Sequence, residues 1–489
     1  MQSASAKAAV PHSSSEGDPQ ADVARVQVAY QQLRSAARSR PCPPYKERVE
    51  HLNRLLGAVR AEQGALVESV AQDFGHRSAH ETAISEVLPV VNAIRFALAH
   101  LKVWMKPRPR PVALSFRPGR AEVRPQPLGV VGIIAPWNYP FLLAVDPLVS
   151  ALAAGNRVLL KPSELAPATS ALLKGMIEES FDSSHVAVVT GDARVGEAVC
   201  KLPLDHLLFT GSTRLGKLVM RAASENLTPV TLELGGKSPV LVHPDFPLER
   251  AVERIAVGKF FNAGQTCVAP DYVLLPQGQL EVAVDKLRDQ IRKCYPTLKN
   301  NPDYTAIIHD GHYARLRALV SDAASKGADV IEVNPAGEAQ LEAERKLAPT
   351  LLLDVNDDMH VLQEEIFGPL LPLLPYGSLD EALAYLAERP HPLALYYFDS
   401  DKKRTRRVLD ASLSGGACVN DTCLQPLQEA LPFGGVGASG MGAYHGVEGF
   451  NTFSHLRGVF YQARFNVTAL TNPPFGPAVE RLLSVLIGK

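Results

Sequence analysis

Apolar residues recur at three- and four-residue intervals early in the chain: Val49, Leu52, Leu55, Leu56, Val59, Leu66 and Val70 line one face of a helix over 45–72. The same spacing predicts helices over 22–38 and 80–104, the latter ending before a Pro-rich run at 106–111. From position 129 the texture changes. Short runs of consecutive apolar residues at 129–135, 157–160, 186–190 and 206–210 read as strands. A helix through Leu152, stopping at Gly155 and Asn156, and another over 167–181 lie between them. Strands apolar on both faces with crossover helices predict a parallel, dinucleotide-type sheet with right-handed connections. A second α/β region runs from about 235 to 435, with helices over 248–262 and 279–293 and strands at 272–275 and 350–353.

A chain of 489 residues is too long for one compact core, so two or three domains are expected. With 46% hydrophobic and 21% charged residues it has the composition of a globular protein. A net charge of −1 supplies no field toward nucleic acid or an anionic membrane. No uninterrupted run of about 18 apolar residues occurs, and the first twenty residues lack the apolar core of a secretory signal. The expectation is a cytoplasmic protein with no membrane span. Val479, Leu482, Leu483 and Leu486 fall at helical spacing in 478–488, too short to cross a bilayer. The plainer reading is a helix packed on its own protein; the alternative is a membrane-surface anchor. Lys106, Arg108, Arg110, Arg117 and Arg120 alternate with prolines and apolar residues, which fits an exposed hairpin better than a nucleic-acid patch.

Cys42, Cys200, Cys267, Cys294, Cys418 and Cys423 form no CxxC pair, and no HExxH occurs, so no metal site is expected. Such cysteines suit a reducing compartment, where each is ordinarily a small buried apolar residue. The run GSTRLGKL from Gly211 to Leu218 follows an apolar strand and imitates a P-loop. Leu218, however, stands where a Ser or Thr must hold Mg²⁺, so an NTPase fits poorly. Glycines leading into a helix N-terminus still make a phosphate site; a plain strand–turn–helix connection is the equal alternative.

Four segments change that balance. Gly264, Gln265, Thr266 and Cys267 place a thiol among small and polar neighbours just beyond a helix. Glu233 ends a strand in the apolar run LELGGK, where burial would make its carboxylate more basic, as a general base requires. Pro136, Trp137 and Asn138 (in PWNYP) and Lys161, Ser163 and Glu164 follow the first and second strands, at the end where open α/β sheets bind ligands.

These segments, with EEIFGP from Glu364 and PFGGVGASG from Pro432, resemble the aldehyde dehydrogenase superfamily, in the family's order and spacing over about 25–470. GQTCVAPDY from Gly264 resembles the class 3 branch. DFGHRS from Asp73, Glu81 with Thr82, and NLTPVTLELGGK from Asn226 resemble bacterial coniferyl aldehyde dehydrogenases.

The resemblance implies the aldehyde dehydrogenase fold: a Rossmann-like five-stranded parallel cofactor sheet, a catalytic α/β domain and a small bridging β element. The expected segments are a disordered extension at 1–20 and a cofactor domain at 21–105 and 129–234. A catalytic domain at 235–436, a bridging and oligomerisation element at 106–128 and 453–471, and a tail helix at 472–489 complete the chain. It also implies NAD(P)-dependent oxidation of an aldehyde to its acid through a thioester, in a homodimer. Cys267 would be the nucleophile; an unperturbed thiol is only about 3% ionised at pH 7, so its pKa must fall or a base must take its proton. The Asn138 amide and the Cys267 backbone N–H would hold the oxyanion, and Glu233 would activate water. Lys161 and Glu164 match adenosine-ribose positions, Ser212, between Gly211 and Gly216, a pyrophosphate contact, and Glu365 and Phe367 the nicotinamide-ribose side.

Glu233 favours hydrolysis over transfer to coenzyme A, and Glu164 favours NAD, with NADP also accepted. An aromatic aldehyde such as coniferyl aldehyde is the first expectation, a medium-chain aliphatic one the second. The rival readings are a cofactor-independent cysteine hydrolase and a non-catalytic binding protein of the same fold.

Overall fold

The computed structural model describes residues 19–465 and 472–488. Five parallel strands form one sheet in the order Val230–Leu234, His206–Gly211, Val130–Ile134, Arg157–Lys161, Val186–Val188. A two-residue strand, Gly440–Met441, adds antiparallel to Val230–Leu234 as a sixth, its Gly440 opposite Glu233. Every residue of Val130–Ile134 and Arg157–Lys161 is buried, as continuous apolar strands require. Alternate residues feed two cores. Val131, Ile133, Val158 and Leu160 pack with Leu52, Leu55, Phe74 and Leu148, while Val130, Leu159 and Leu207 pack with Val26, Tyr30 and Leu33.

A seven-stranded sheet follows, ordered Asp329–Glu332, Thr350–Leu353, Leu370–Tyr376, Tyr272–Pro276, Pro239–Val242, Ala394–Phe398, Gly416–Val419; only Asp329–Glu332 runs antiparallel to its neighbour. Helix Leu248–Phe260 covers one face through Ile255 and Phe260, and Leu316, Leu319 and Val361 cover the other. In a third sheet Arg120–Pro127 lies between Arg108–Arg110 and Ser454–Tyr461, all antiparallel. The basic stretch is therefore a hairpin.

Several expectations need correction. The helix expected over 45–72 breaks at Glu62 into Tyr45–Ala61 and Gln63–Phe74, next to the helix-weakening Gly64. The stretch Ala79–Trp104 has an 18-residue window of mean hydropathy 1.4, apolar enough to cross a membrane by composition although charges interrupt it. Half of that window is buried, with Val90, Ile94, Ala97 and Leu101 in the core. The tail helix Pro477–Ile487 has no buried residue, and Val485, Leu486 and Ile487 are exposed. Its apolar face is not packed on the described chain. Only Cys200 is buried among the cysteines; Cys42 is exposed and the rest are intermediate. Pro19 and Gln20 open the first helix, Pro19–Ser39; the rest of the extension expected at 1–20, and 466–471 of the bridging segment, lie outside the described residues.

Candidate active site

Helix Leu248–Phe260 stops abruptly, and the chain turns through Asn262 (φ 51°), Ala263 (φ 49°) and Gly264 (φ 74°) before reaching Cys267. Left-handed backbone costs an L-residue about 1–2 kcal/mol, so the turn must be held from outside. A Cβ on Gly264 would run into the Gly368 carbonyl and lie 3.1 Å from the Lys259 carbonyl, which excludes other side chains. Gln265, fully buried, donates to the Ala306 carbonyl (3.0 Å) and accepts from the Ile308 N–H (3.0 Å). The Cys267 residue is only partly buried, so it is not sealed in apolar packing. Burial, then the negative charges of Glu365 and Glu233, push its thiol well above the ordinary range. Of the two routes to a reactive thiolate, this environment favours proton transfer to a base.

Asn138, 4% exposed, lies just beyond strand Val130–Ile134. Its Nδ2 donates to the Gln265 carbonyl at 3.2 Å, and the neighbouring Tyr139 hydroxyl bonds the Thr266 hydroxyl at 2.6 Å. The two loops are thus tied one and two residues before the thiol. One of the two Asn138 amide protons is spent on Gln265; the other remains for a further acceptor.

Glu233 ends strand Val230–Leu234, 2% exposed, and neither carboxyl oxygen has a hydrogen-bond partner. Burial alone raises its pKa well above the carboxylate range. Its charge reaches the Cys267 thiol, which places both groups in one electrostatic environment. The Glu365 carboxyl occupies the space a Cβ on Gly235 would need, and its pKa is pushed up to about 8 by burial and then by Asp271. The Glu365 loop is itself anchored: Lys237 pairs with Asp271 and donates to the Val361 (2.8 Å) and Glu364 (3.0 Å) carbonyls, and Asp271 accepts from the Ile366 N–H (3.0 Å). Phe367 (φ 51°) meets Trp137 edge-on at 5.3 Å between ring centres.

The dinucleotide candidates lie along the carboxyl edge of three adjacent parallel strands. Pro136 and Trp137 follow the first; Lys161 ends the next, with Ser163 and Glu164 beyond; Gly211 ends the third. Lys161, 3% exposed, pairs with the half-exposed Glu164, and the Ser163 hydroxyl accepts from the Leu165 N–H (3.2 Å). Ser212 is exposed and caps helix Thr213–Ser224, accepting from the Leu215 N–H at 3.4 Å. Gly216 lies inside that helix, where a Cβ would come within 2.7 Å of Leu234. It is a packing glycine, and Gly211 and Ser212 alone reach the edge. The N-terminus of helix Thr213–Ser224, at Ser212, fits a phosphate of a dinucleotide. Among the described residues no cluster of His, Cys, Asp or Glu could hold a metal ion.

Sequence reasoning gave no role to the supports of these loops, Arg77, Glu81, Glu86 and Asn262, although Arg77 and Glu81 lie in segments that carry the resemblance. The signal was present, since Glu86 interrupts an apolar helix and is 0% exposed.

A parallel sheet with candidate dinucleotide residues along its carboxyl edge, together with a thiol, an amide and a buried carboxyl, points to a dehydrogenase. The aldehyde dehydrogenase family model matches residues 14–459, and the chain belongs to that family. It is 51% identical over 464 residues to a probable coniferyl aldehyde dehydrogenase of Pseudomonas aeruginosa, covering 95% of this chain and 96% of that protein. It is 41% identical to aldehyde dehydrogenase family 3 member H1 of Arabidopsis thaliana, covering 91% of each. The substrate-bound state of Staphylococcus aureus AldH superposes with a TM-score of 0.89 at 37% identity, covering 94% of this chain and 99% of that one. The protein is an aldehyde dehydrogenase that oxidises aldehydes, and its family uses NAD(P). The hydrolase and binding-protein readings are not favoured.

Proposed function

We propose that the enzyme forms a thioester on Cys267, with Asn138 stabilising the oxyanion and Glu233 acting as the base, and that its preferred substrate is an aromatic aldehyde. The observation that carries the reading is a thiol on a half-buried residue, an amide oriented toward the same loop, and a buried carboxyl with no hydrogen-bond partner whose charge reaches the thiol. Because the thiol is held protonated, its proton passes to Glu233 as sulfur bonds the carbonyl carbon. The electron pair moving onto oxygen is met by the free Asn138 N–H and the Cys267 backbone N–H. A nicotinamide cofactor, which Glu365 and Phe367 would hold, would supply the hydride acceptor for that carbon. Glu233 passes that proton to solvent and then takes one from water as the water oxygen adds to the thioester; the C–S bond breaks, Glu233 returns the proton to the departing sulfur, and the acid leaves with the thiol restored.

Lys161 and Glu164 hold the adenosine ribose in this reading, Ser212 a phosphate, and Glu365 and Phe367 the nicotinamide side; Pro136, Trp137, Ser163 and Gly211 shape the edge, and Gly216 only seats the following helix against Leu234. The six-stranded sheet is the cofactor domain, the seven-stranded sheet the catalytic one, and the hairpin with its late strand the bridging element of a cytoplasmic homodimer. Glu164 makes NAD the better cofactor because its carboxylate would repel a 2′-phosphate. The P. aeruginosa relative's name supports coniferyl aldehyde as first substrate.

The test is a panel of coniferyl aldehyde, other aromatic aldehydes and C4–C12 aliphatic aldehydes, each with NAD and NADP, following reduced cofactor and acid together. The aromatic set with NAD should give the highest kcat/KM. Reduced cofactor without acid, or a uniform preference for aliphatic chains, would overturn the mechanism or the substrate respectively.

A further inference from the structure

Residues 77–86 fold against both loops of the site although none belongs to the reacting set. Arg77, 2% exposed, donates from Nη1 to the Asn138 carbonyl (3.0 Å) and to Glu86 Oε1 (3.1 Å), and from Nη2 to the Ser85 hydroxyl (3.0 Å). Glu86 Oε2 accepts the N–H groups of Phe141 (3.0 Å) and Leu142 (2.8 Å), where the helix after Asn138 begins. Asn138 is therefore gripped at its own carbonyl and again three and four residues downstream. Its carbonyl also accepts from Asn262 Nδ2 at 3.2 Å. Asn262 is held in turn by Glu81, whose Oε1 accepts the Asn262 N–H (3.1 Å) and whose Oε2 accepts from the Thr305 hydroxyl (2.6 Å).

We propose that Arg77, oriented by Glu86, is the positioning residue that aims the Asn138 amide at the oxyanion, an inference that rests on the reading of Asn138 above. A buried ion pair is weak evidence for stability, since apolar residues of equal volume often serve as well. Both side chains here are 0% exposed, and apart from the Arg77–Ser85 bond their remaining hydrogen bonds converge on a single five-residue segment, 138–142. That convergence describes aim, not bulk packing. A turn of π-helix at Ala83–Val87 presents Ser85 and Glu86, the two residues that grip Arg77, on the buried side. The amide's second N–H can meet a developing charge only while the loop cannot rotate, and a misplacement of about 1 Å costs on the order of a hundredfold in rate.

The experiment compares Arg77→Met and Arg77→Lys in the wild-type and Asn138→Ala backgrounds, reading kcat, aldehyde KM, NAD affinity and thermal midpoint. Arg77→Met should lower kcat by about ten- to a hundredfold. Aldehyde KM and NAD affinity should stay within about twofold, because only a transition-state contact is lost. Arg77→Lys should restore part of kcat. On top of Asn138→Ala, Arg77→Met should cost less than about twofold, because residues acting through one contact are not additive. Should Arg77→Met not accumulate as folded enzyme, Glu86→Gln serves, and the same non-additivity is expected. Equal losses in both backgrounds would overturn the positioning role alone. An Asn138→Ala enzyme with undiminished kcat would overturn the oxyanion reading itself.

Discussion

The two groups assigned to serve Cys267 are held differently: the Asn138 carbonyl accepts from Arg77 and Asn262 while its amide donates to Gln265, whereas Glu233 lies as deep with both oxygens unbonded. The two sides of this contrast solve different problems. A donor that stabilises developing charge works best when it is fixed before the reaction and needs no reorganisation. A base must gain and lose a proton, and hydrogen bonds to its charged form would pull its pKa down and blunt it. Leaving Glu233 unpartnered in an apolar setting keeps it basic at a cost in stability.

Removing the group that both sides serve is the largest perturbation. Cys267→Ala should lower acid formation by at least about ten-thousandfold, as loss of a covalent nucleophile does. NAD binding, followed by nucleotide fluorescence, should be unchanged. Residual turnover within a hundredfold of wild type would remove the thiol from the mechanism.

Glu233→Gln tests the unbonded side. Steady-state kcat should fall by about a hundred- to ten-thousandfold, with one equivalent of reduced cofactor still released in a burst. Because burial raises its pKa, Glu233 keeps its proton to higher pH than an ordinary carboxyl, so wild-type acid release should climb with pH above the usual carboxylate range. The variant should lose that climb. Stability follows the same linkage with the opposite benefit. In the unfolded chain the carboxyl ionises near 4.5, in the folded one higher, so the folded protein binds more protons and loses stability as pH rises above 4.5. The thermal midpoint of Glu233→Gln should therefore exceed that of wild type by a margin that widens upward from that pH.

Gly264→Ala tests the fixed side without touching a polar group. An L-residue at φ 74°, with its Cβ driven into the Gly368 carbonyl, displaces the turn that carries Gln265 and Cys267. A kcat loss of about a hundredfold is expected, with cofactor affinity retained. Wild-type kcat in a folded variant would show that the turn tolerates movement and that the fixed side is less rigid than its hydrogen bonds imply.

The same division governs what could be read without coordinates. The parallel strands and the residues at their carboxyl ends, Asn138 and Glu233 among them, follow from continuous apolar runs punctuated by Gly, Pro, Asn and Lys, whereas Cys267, beyond a helix, is singled out by its small and polar neighbours and by the family resemblance. The supports were not legible. Arg77 and Glu86 act on Asn138 across 61 and on Phe141 across 55 residues of sequence, and no local period announces such contacts. Gly216, read with the phosphate loop, turns out to face Leu234, because a packing glycine and a ligand-facing one look alike in one dimension. The tail helix had a clear apolar stripe, but periodicity gives a face and not what covers it.

The smallest effect expected lies outside both sides. Glu164 is 40% exposed and paired with the buried Lys161, so its charge is partly neutralised and partly screened. Glu164→Gln removes the repulsion toward a 2′-phosphate but also frees Lys161, and both changes favour NADP. Exposed charge pairs are worth at most about 1 kcal/mol, so kcat/KM for NADP should rise by no more than about fivefold, with NAD within about threefold. The burst amplitude and the pH profile of acid release should not move, since neither Asn138 nor Glu233 senses this residue. A change in either would show that cofactor placement sets the geometry of the thiol, and the contrast between the two sides would then hold only with the dinucleotide in place.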